Sequence, residues 1–153
     1  MATEFMQRIS LADLERASAP REVVALRAGA SVGSALRLLQ ERGVHGAPVR
    51  PEDSDSVLGM VDVRDLATAL LLELEKEKKD EISVPDWETR PEQLIARGIE
   101  FAGLRVEQCI NLSGANQTAT VYANGTVAQL AEEMVRSKAH RVAIVNDKDV
   151  LHR

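Results

Sequence analysis

The chain has one cysteine, Cys109, in 153 residues. No intrachain disulfide can form, and a reducing compartment is its natural setting. Aromatic residues make up only 3%, so aliphatic side chains must build the core. That scarcity also excludes the stacked-base platforms that hold single-stranded nucleic acid. Basic residues are not in excess: 19 Lys and Arg stand against 24 Asp and Glu, a net charge of -5. Neither nucleic acid nor an anionic membrane is an expected partner. No apolar run approaches the ~20 residues of a membrane span. Glu4, Arg8, Asp13 and Glu15 interrupt the N-terminus where a signal peptide would be apolar. The expectation is a soluble, cytoplasmic protein in which any anion site is a local gathering of basic groups.

What is present is ordinary globular material, 44% hydrophobic and 28% charged, enough for one domain or a packed pair of small ones. The most ordered stretch runs from Ser31 to Leu72. Ser31 is placed to cap a helix from Val32 to Arg42 whose apolar residues Val32, Ala35, Leu36 and Leu39 share one face. Gly43 fits a left-handed helix end. An extended segment follows, His45-Gly46-Ala47-Pro48-Val49, with Pro48 predicted at a strand edge or end. A polar turn at Pro51 to Ser56 leads into a second extended run and a helix from Val63 to about Glu75, with Leu66, Ala67, Leu70 and Leu74 expected on its buried side.

The flanks are less ordered. Phe5, Ile9, Leu11 and Leu14 suggest a leading helix over Glu4 to Ser18, closed by Pro20 and packed on the domain that follows, with Ser10 a second start signal. Val23 to Leu26 reads as a short strand. Glu73 to Glu81 is a mixed charge run, most simply a solvated helix end grading into a linker. Pro85 to Arg90 is loop-like around Trp87, the only large aromatic anchor. Pro91 opens a helix expected to break near Gly98, and Asn111 to Asn116 is turn-rich.

Residues 31 to 49 lie over residues 126 to 144 without a gap. Ser31 meets Thr126, Val32 meets Val127, Leu39 meets Met134, and Val44-His45 meets Ala139-His140. The second copy repeats the helical face (Val127, Leu130, Ala131, Met134), the extended run Val142 to Val145 and a polar turn. It has no counterpart of Gly59 to Leu74, so its core is expected to be partly open and the chain to be a fragment of a longer protein. The domain plan is therefore a helical segment at 1–19, a first repeat at 20–75, a charged linker and helical insertion at 76–116, and an incomplete second repeat at 117–153.

The passage through Gly43 and His45 to Val49, with Gly59-Met60-Val61-Asp62-Val63-Arg64-Asp65, resembles the tandem CBS domains, or Bateman modules. The second run looks like that family's signature of glycine, two apolar residues, serine or threonine, two variable residues and aspartate. Gly43-Val44 with Ala47-Pro48, His140-Arg141 before a Val/Ile run and the Trp-containing insertion are most similar to eukaryotic relatives of the gamma subunit of AMP-activated protein kinase. Asn111-Leu112-Ser113-Gly114 is similar to plant-type members.

The resemblance implies an α/β fold of paired strand–helix–strand–strand–helix units with an adenine-nucleotide cleft between them. By that resemblance Asp65 accepts hydrogen bonds from the ribose hydroxyls, Met60 and Asp62 line the cleft, and His45, His140 and Arg141 meet the phosphate. AMP, ADP or ATP would be a regulatory ligand, a homodimer through the helices and a regulated partner such as a protein kinase would follow, and no cofactor would be required. Two positions depart from the pattern. Asp62 replaces the hydroxyl residue and would repel phosphate, and Gly46 stands where the second repeat has Arg141. Both point to weaker phosphate affinity, a less charged adenosine ligand, or an empty cleft serving a scaffold.

Plainer roles stand beside these. Asp65 can cap the helix that begins beside it, and the two histidines can be surface or satisfied core residues. His45, His140 and His152 have no compact metal-ligand spacing. Cys109 has no cationic neighbour in sequence and reads as an inert buried thiol. Gly29, Ser31 and Gly33 do not form a phosphate loop. No arrangement of nucleophile, base or paired carboxylates suggests catalysis, so an enzyme is not expected.

Overall fold

The structure, a computed structural model, describes residues 2–17, 23–76, 91–115, 117–148 and 150–151. Trp87, Pro20 and His152 lie outside the described residues. The leading segment forms two helices, α1 (Ala2–Arg8) and α2 (Leu11–Ala17), instead of one. The break at Ile9-Ser10 has a local cause. The Asp13 N–H donates to the Ser10 hydroxyl at 3.1 Å, and the Ser10 hydroxyl donates to the Asp13 carboxylate at 2.6 Å, which starts α2 afresh.

The first unit contains β1 (Leu26–Arg27), α3 (Val32–Glu41), β2 (Gly46–Arg50), β3 (Gly59–Asp62) and α4 (Val63–Glu75). Ser31 caps α3 through the Ser34 N–H, and Gly43 takes φ +62, as their residue types require. β2 lies between β1, in parallel, and β3, antiparallel, with Gly46 opposite Asp62. Leu26, Val32, Leu39, Val49, Val61 and Leu66 form the core beneath this sheet, joined by Val106 and Cys109 from a single 3₁₀ turn, Val106–Cys109. The buried side of α4 is Asp65, Leu66, Ala69 and Glu73, with Ala67 exposed. That face is rotated from the expected one because the helix points its first-turn carboxylate inward.

The helix α5 (Pro91–Gly103) runs unbroken through Gly98, where an interruption was expected. A single glycine costs only ~1 kcal/mol in a helix, and packing against α3 and α4 outweighs it. The second unit holds β4 (Thr120–Tyr122), α6 (Val127–Ser137) and β5 (Ala143–Val145). α6 has no fully buried residue.

The two units share one register. Leu26 pairs with Val49 and Arg27 with Arg50; Val121 pairs with Ile144 and Tyr122 with Val145, each position moved on by 95 residues. The flanking segments follow the same shift, and they are exchanged. The Val32 N–H donates to the Leu104 carbonyl at 2.8 Å and the Val106 N–H to that of Ala30 at 2.9 Å. Correspondingly, the Val127 N–H donates to Ile9 and the Leu11 N–H to Gly125, both at 3.0 Å. So the leading helix does not pack on the domain that follows it. α1 packs on α6 of the second unit, and α5 on the first.

Candidate functional site

The site forms where β3 turns into α4. Asp62 is the N-cap of α4, and its Oδ1 accepts from the backbone N–H groups of Arg64 at 2.8 Å and Asp65 at 3.3 Å. Asp65 reaches back, its Oδ2 accepting from the Asp62 N–H at 3.0 Å, which completes a reciprocal capping box. The capping role open to Asp65 in the sequence is thus realised. It is not the whole of it. Asp65 is fully buried, and its Oδ1 accepts from the Ser113 N–H at 2.9 Å and the Ser113 hydroxyl at 2.6 Å. The carboxylate that the resemblance gives to a ribose therefore already holds two donors on the oxygen facing the Asn111 to Gly114 turn.

Asp62 does not present a bare carboxylate. Its Oδ2 accepts from Arg64 Nη2 at 3.0 Å and Nε at 3.2 Å, and from Arg141 Nη1 at 3.0 Å. The charge expected to repel phosphate is paired here with two guanidinium groups. Arg141 comes from the second unit, 79 residues away in sequence, so the two units meet at this carboxylate.

Gly46 also has a structural cause. A Cβ there would lie 2.7 Å from Asp62 Cβ and 2.9 Å from the Val61 carbonyl oxygen. The strand can approach Asp62 only because the side chain is missing, so the cation lost from this position is exchanged for close packing. Gly59 opens β3 in the same way, since a Cβ there would strike Ile110 Cγ2.

The remaining expected residues are placed less centrally. Met60 is buried opposite Pro48, and its carbonyl accepts from the Asn111 N–H at 3.3 Å. The His45 side chain is exposed while its carbonyl accepts from the Val63 N–H at 3.0 Å. His140 is exposed beside Arg141. Cys109 is fully buried beneath the site, where burial first, and the Asp65 charge second, push its thiol above the ordinary value. Among the described residues, no group of three or more His, Cys, Asp or Glu side chains could hold a metal ion.

Two participants were not singled out from the sequence. Ser113 was part of a turn-rich run, and nothing local marks a turn serine as the partner of a carboxylate 48 residues away. Arg64 stands at a variable position of the signature. Its signal was its place two residues after a capping aspartate, where a long side chain can fold back on the cap.

The comparisons with known proteins bear on this geometry. Residues 13–72 match the family model described as the CBS domain. No curated relative matches the chain. Among solved structures, the CBS domain of a CBS domain containing membrane protein from Sphaerobacter thermophilus is similar at a TM-score of 0.64 and 17% identity, covering 98% of this chain and 85% of that one. CBSX2, a CBS-pair protein of Arabidopsis thaliana, was solved in complex with AMP. That structure matches at a TM-score of 0.60 and 21% identity, over 94% of this chain and 87% of its own. The CBS domain of a bacterial CNNM/CorC family Mg2+ transporter in complex with ATP matches at 0.61 and 18%, over 98% and 83%. The expected α/β CBS fold is the fold of this chain. Its signature run lies inside the matched CBS segment, and Arg141 comes to it from the other unit.

Proposed function

We propose that the protein is a regulatory module that binds an adenine nucleotide at the junction of its two units and passes occupancy to a partner. The observation that carries this is the convergence of Asp65, Asp62 and Arg141. Residues on two separate repeats assemble a buried carboxylate at a strand–helix turn beside a cationic rim. Asp65 would take the ribose diol, since a carboxylate accepts from two hydroxyls at once. Arg141, with His140 beside it in sequence and His45 at the position equivalent to His140 in the first repeat, would face the phosphate. Met60 would line the apolar side.

In this proposal binding is an exchange. The ribose hydroxyls replace the Ser113 N–H and hydroxyl on Asp65, and the phosphate shares Arg141 with Asp62. The displaced Asn111 to Gly114 turn joins the segment packed on the first unit to β4 of the second, so the exchange would move one unit against the other. The response is limited by the difference in affinity between the two arrangements. That AMP and ATP are bound in similar CBS structures supports this ligand class. The proposal extends to a regulated protein partner, a cytoplasmic setting, a homodimer through the helices and no catalytic role.

A second reading has its own observation. Asp65 and Asp62 are both satisfied within the chain, which suits a closed cleft kept for interaction alone. Titration calorimetry of the protein with AMP, ADP, ATP, adenosine and S-adenosylmethionine, repeated on Asp65→Asn, separates the two. Saturable binding that weakens in the variant is expected. If none of the five binds, the scaffold reading takes its place.

A further inference from the structure

Asp62 is the residue least suited to a phosphate site by charge, and its surroundings give it another task. It is 3% exposed, whereas the side chains of Arg64 and Arg141 are 47% and 36% exposed. The carboxylate therefore lies beneath the two guanidinium groups, which form the rim. One of its oxygens is spent on the N-cap of α4, and the other on three N–H donors from the two arginines. The local charge of the three groups is +1, not the -1 of a bare aspartate. A guanidinium carries five N–H donors on a rigid fork, so one edge can grip a carboxylate while another meets a phosphate. Fixing the fork beforehand lowers the ordering cost when an anion binds.

We infer that Asp62 is a positioning residue that holds Arg64 and Arg141 as a two-arginine clamp for the phosphate of the bound nucleotide. Arg64 is then a ligand-contacting residue and Asp62 acts through it. The inference rests on the nucleotide reading above and adds what selects the phosphate. Because the clamp spans the units, with Arg64 on α4 and Arg141 just before β5, a phosphate between them also ties the units together.

The sign of one substitution decides the matter. Asp62→Asn keeps a good N-cap but releases the ion pairs. If Asp62 only repels phosphate, this variant binds AMP more tightly than the unchanged protein. If Asp62 positions the clamp, it binds AMP more weakly although a negative charge has been removed. We expect a loss of roughly tenfold for AMP, from charge-assisted bonds discounted for their exposure, with adenosine affinity kept within about twofold. Arg64→Gln, at a half-exposed side chain, is expected to show the same split without touching the cap.

Titration calorimetry of the full chain with adenosine and AMP reads both variants. A rise or no change in AMP affinity for Asp62→Asn overturns the clamp. So does an equal loss for adenosine and AMP in Arg64→Gln. Failure of the unchanged protein to bind either ligand overturns the nucleotide reading, and the clamp falls with it.

Discussion

Removing the Ser113 hydroxyl should make the protein less stable and a nucleotide bind more tightly, and the two opposite signs test the exchange directly. In Ser113→Ala the lost bond is the 2.6 Å contact between the hydroxyl and Asp65 Oδ1. Hydrogen bonds to charged groups contribute about 1.5–3 kcal/mol. The Ser113 N–H remains on the same oxygen at 2.9 Å, so the lower end, about 1.5 kcal/mol, is the better value. At ~2–4 °C per kcal/mol for a chain of this size, the melting temperature should fall by roughly 3–6 °C. The free unchanged protein must break that bond before a ribose reaches Asp65, and the variant need not. Since 1.4 kcal/mol is a factor of ten, AMP and adenosine should each bind up to about tenfold more tightly. Differential scanning calorimetry gives the first quantity and isothermal titration the second. A variant that melts normally shows that the Ser113 contact contributes nothing, and one that binds more weakly shows that Ser113 assists the ligand instead of competing with it.

The other predictions concern stability and the thiol. Asp65→Ala strands the Asp62 N–H and both Ser113 donors, and at ~1–3 kcal/mol per orphaned donor it should cost at least about 3 kcal/mol in urea unfolding; an unshifted midpoint would refute the latch. Gly46→Ala places a methyl 2.7 Å from Asp62 Cβ and should cost ~1–3 kcal/mol as an overpacked site, which a urea midpoint equal to the parent's would contradict. Cys109 should react with a thiol reagent at pH 8 at least ~100-fold more slowly in the folded protein than in guanidinium, because it is fully buried. Its thiol is raised in the fold. The unfolded chain therefore loses the proton first, and the stability Cys109 contributes is complete below ~8.5 and declines as pH rises past that value. A pH–stability curve between 7 and 10 that is identical for Cys109→Ala would dispose of this.

Local signals in the sequence were read well because local physics decides them. Ser31, Gly43 and the apolar spacing of α3 are short-range determinants, and the helix bounds follow them. The recurrence at a shift of 95 residues was legible from residue types, and the strand registers repeat it. What escaped was long-range. No pattern within residues 2–17 says that Ile9 and Leu11 will pair with Gly125 and Val127 of the second unit. The turn of α4 onto Asp65 and Glu73 escaped for a similar reason: an apolar-stripe argument cannot anticipate a carboxylate drawn inward by a capping box and a distant serine. The charge of Asp62 is plain in the sequence, but its pairing with Arg141, 79 residues away, is not.

The exchanged leading segments give the proposed switch its mechanical basis. Each unit is closed by a strip of backbone that precedes the other: Leu104 to Val106 on the first, Ile9 to Leu11 on the second. Ser113 lies between the strip on the first unit and the first strand of the second, and its grip on Asp65 is therefore a contact between the units as well as within the site. Leu151 adds a further tie, its N–H donating to the Asp55 carbonyl at 3.1 Å across the same boundary. A ligand that exchanges with Ser113 cannot act on one repeat alone, because the turn it displaces carries the chain into the other. Closely packed interfaces shift between discrete arrangements more readily than they deform by degrees. A sub-ångström loss of fit at Asp65 would then be transmitted as a rearrangement of the two units, and a partner resting on both would register it.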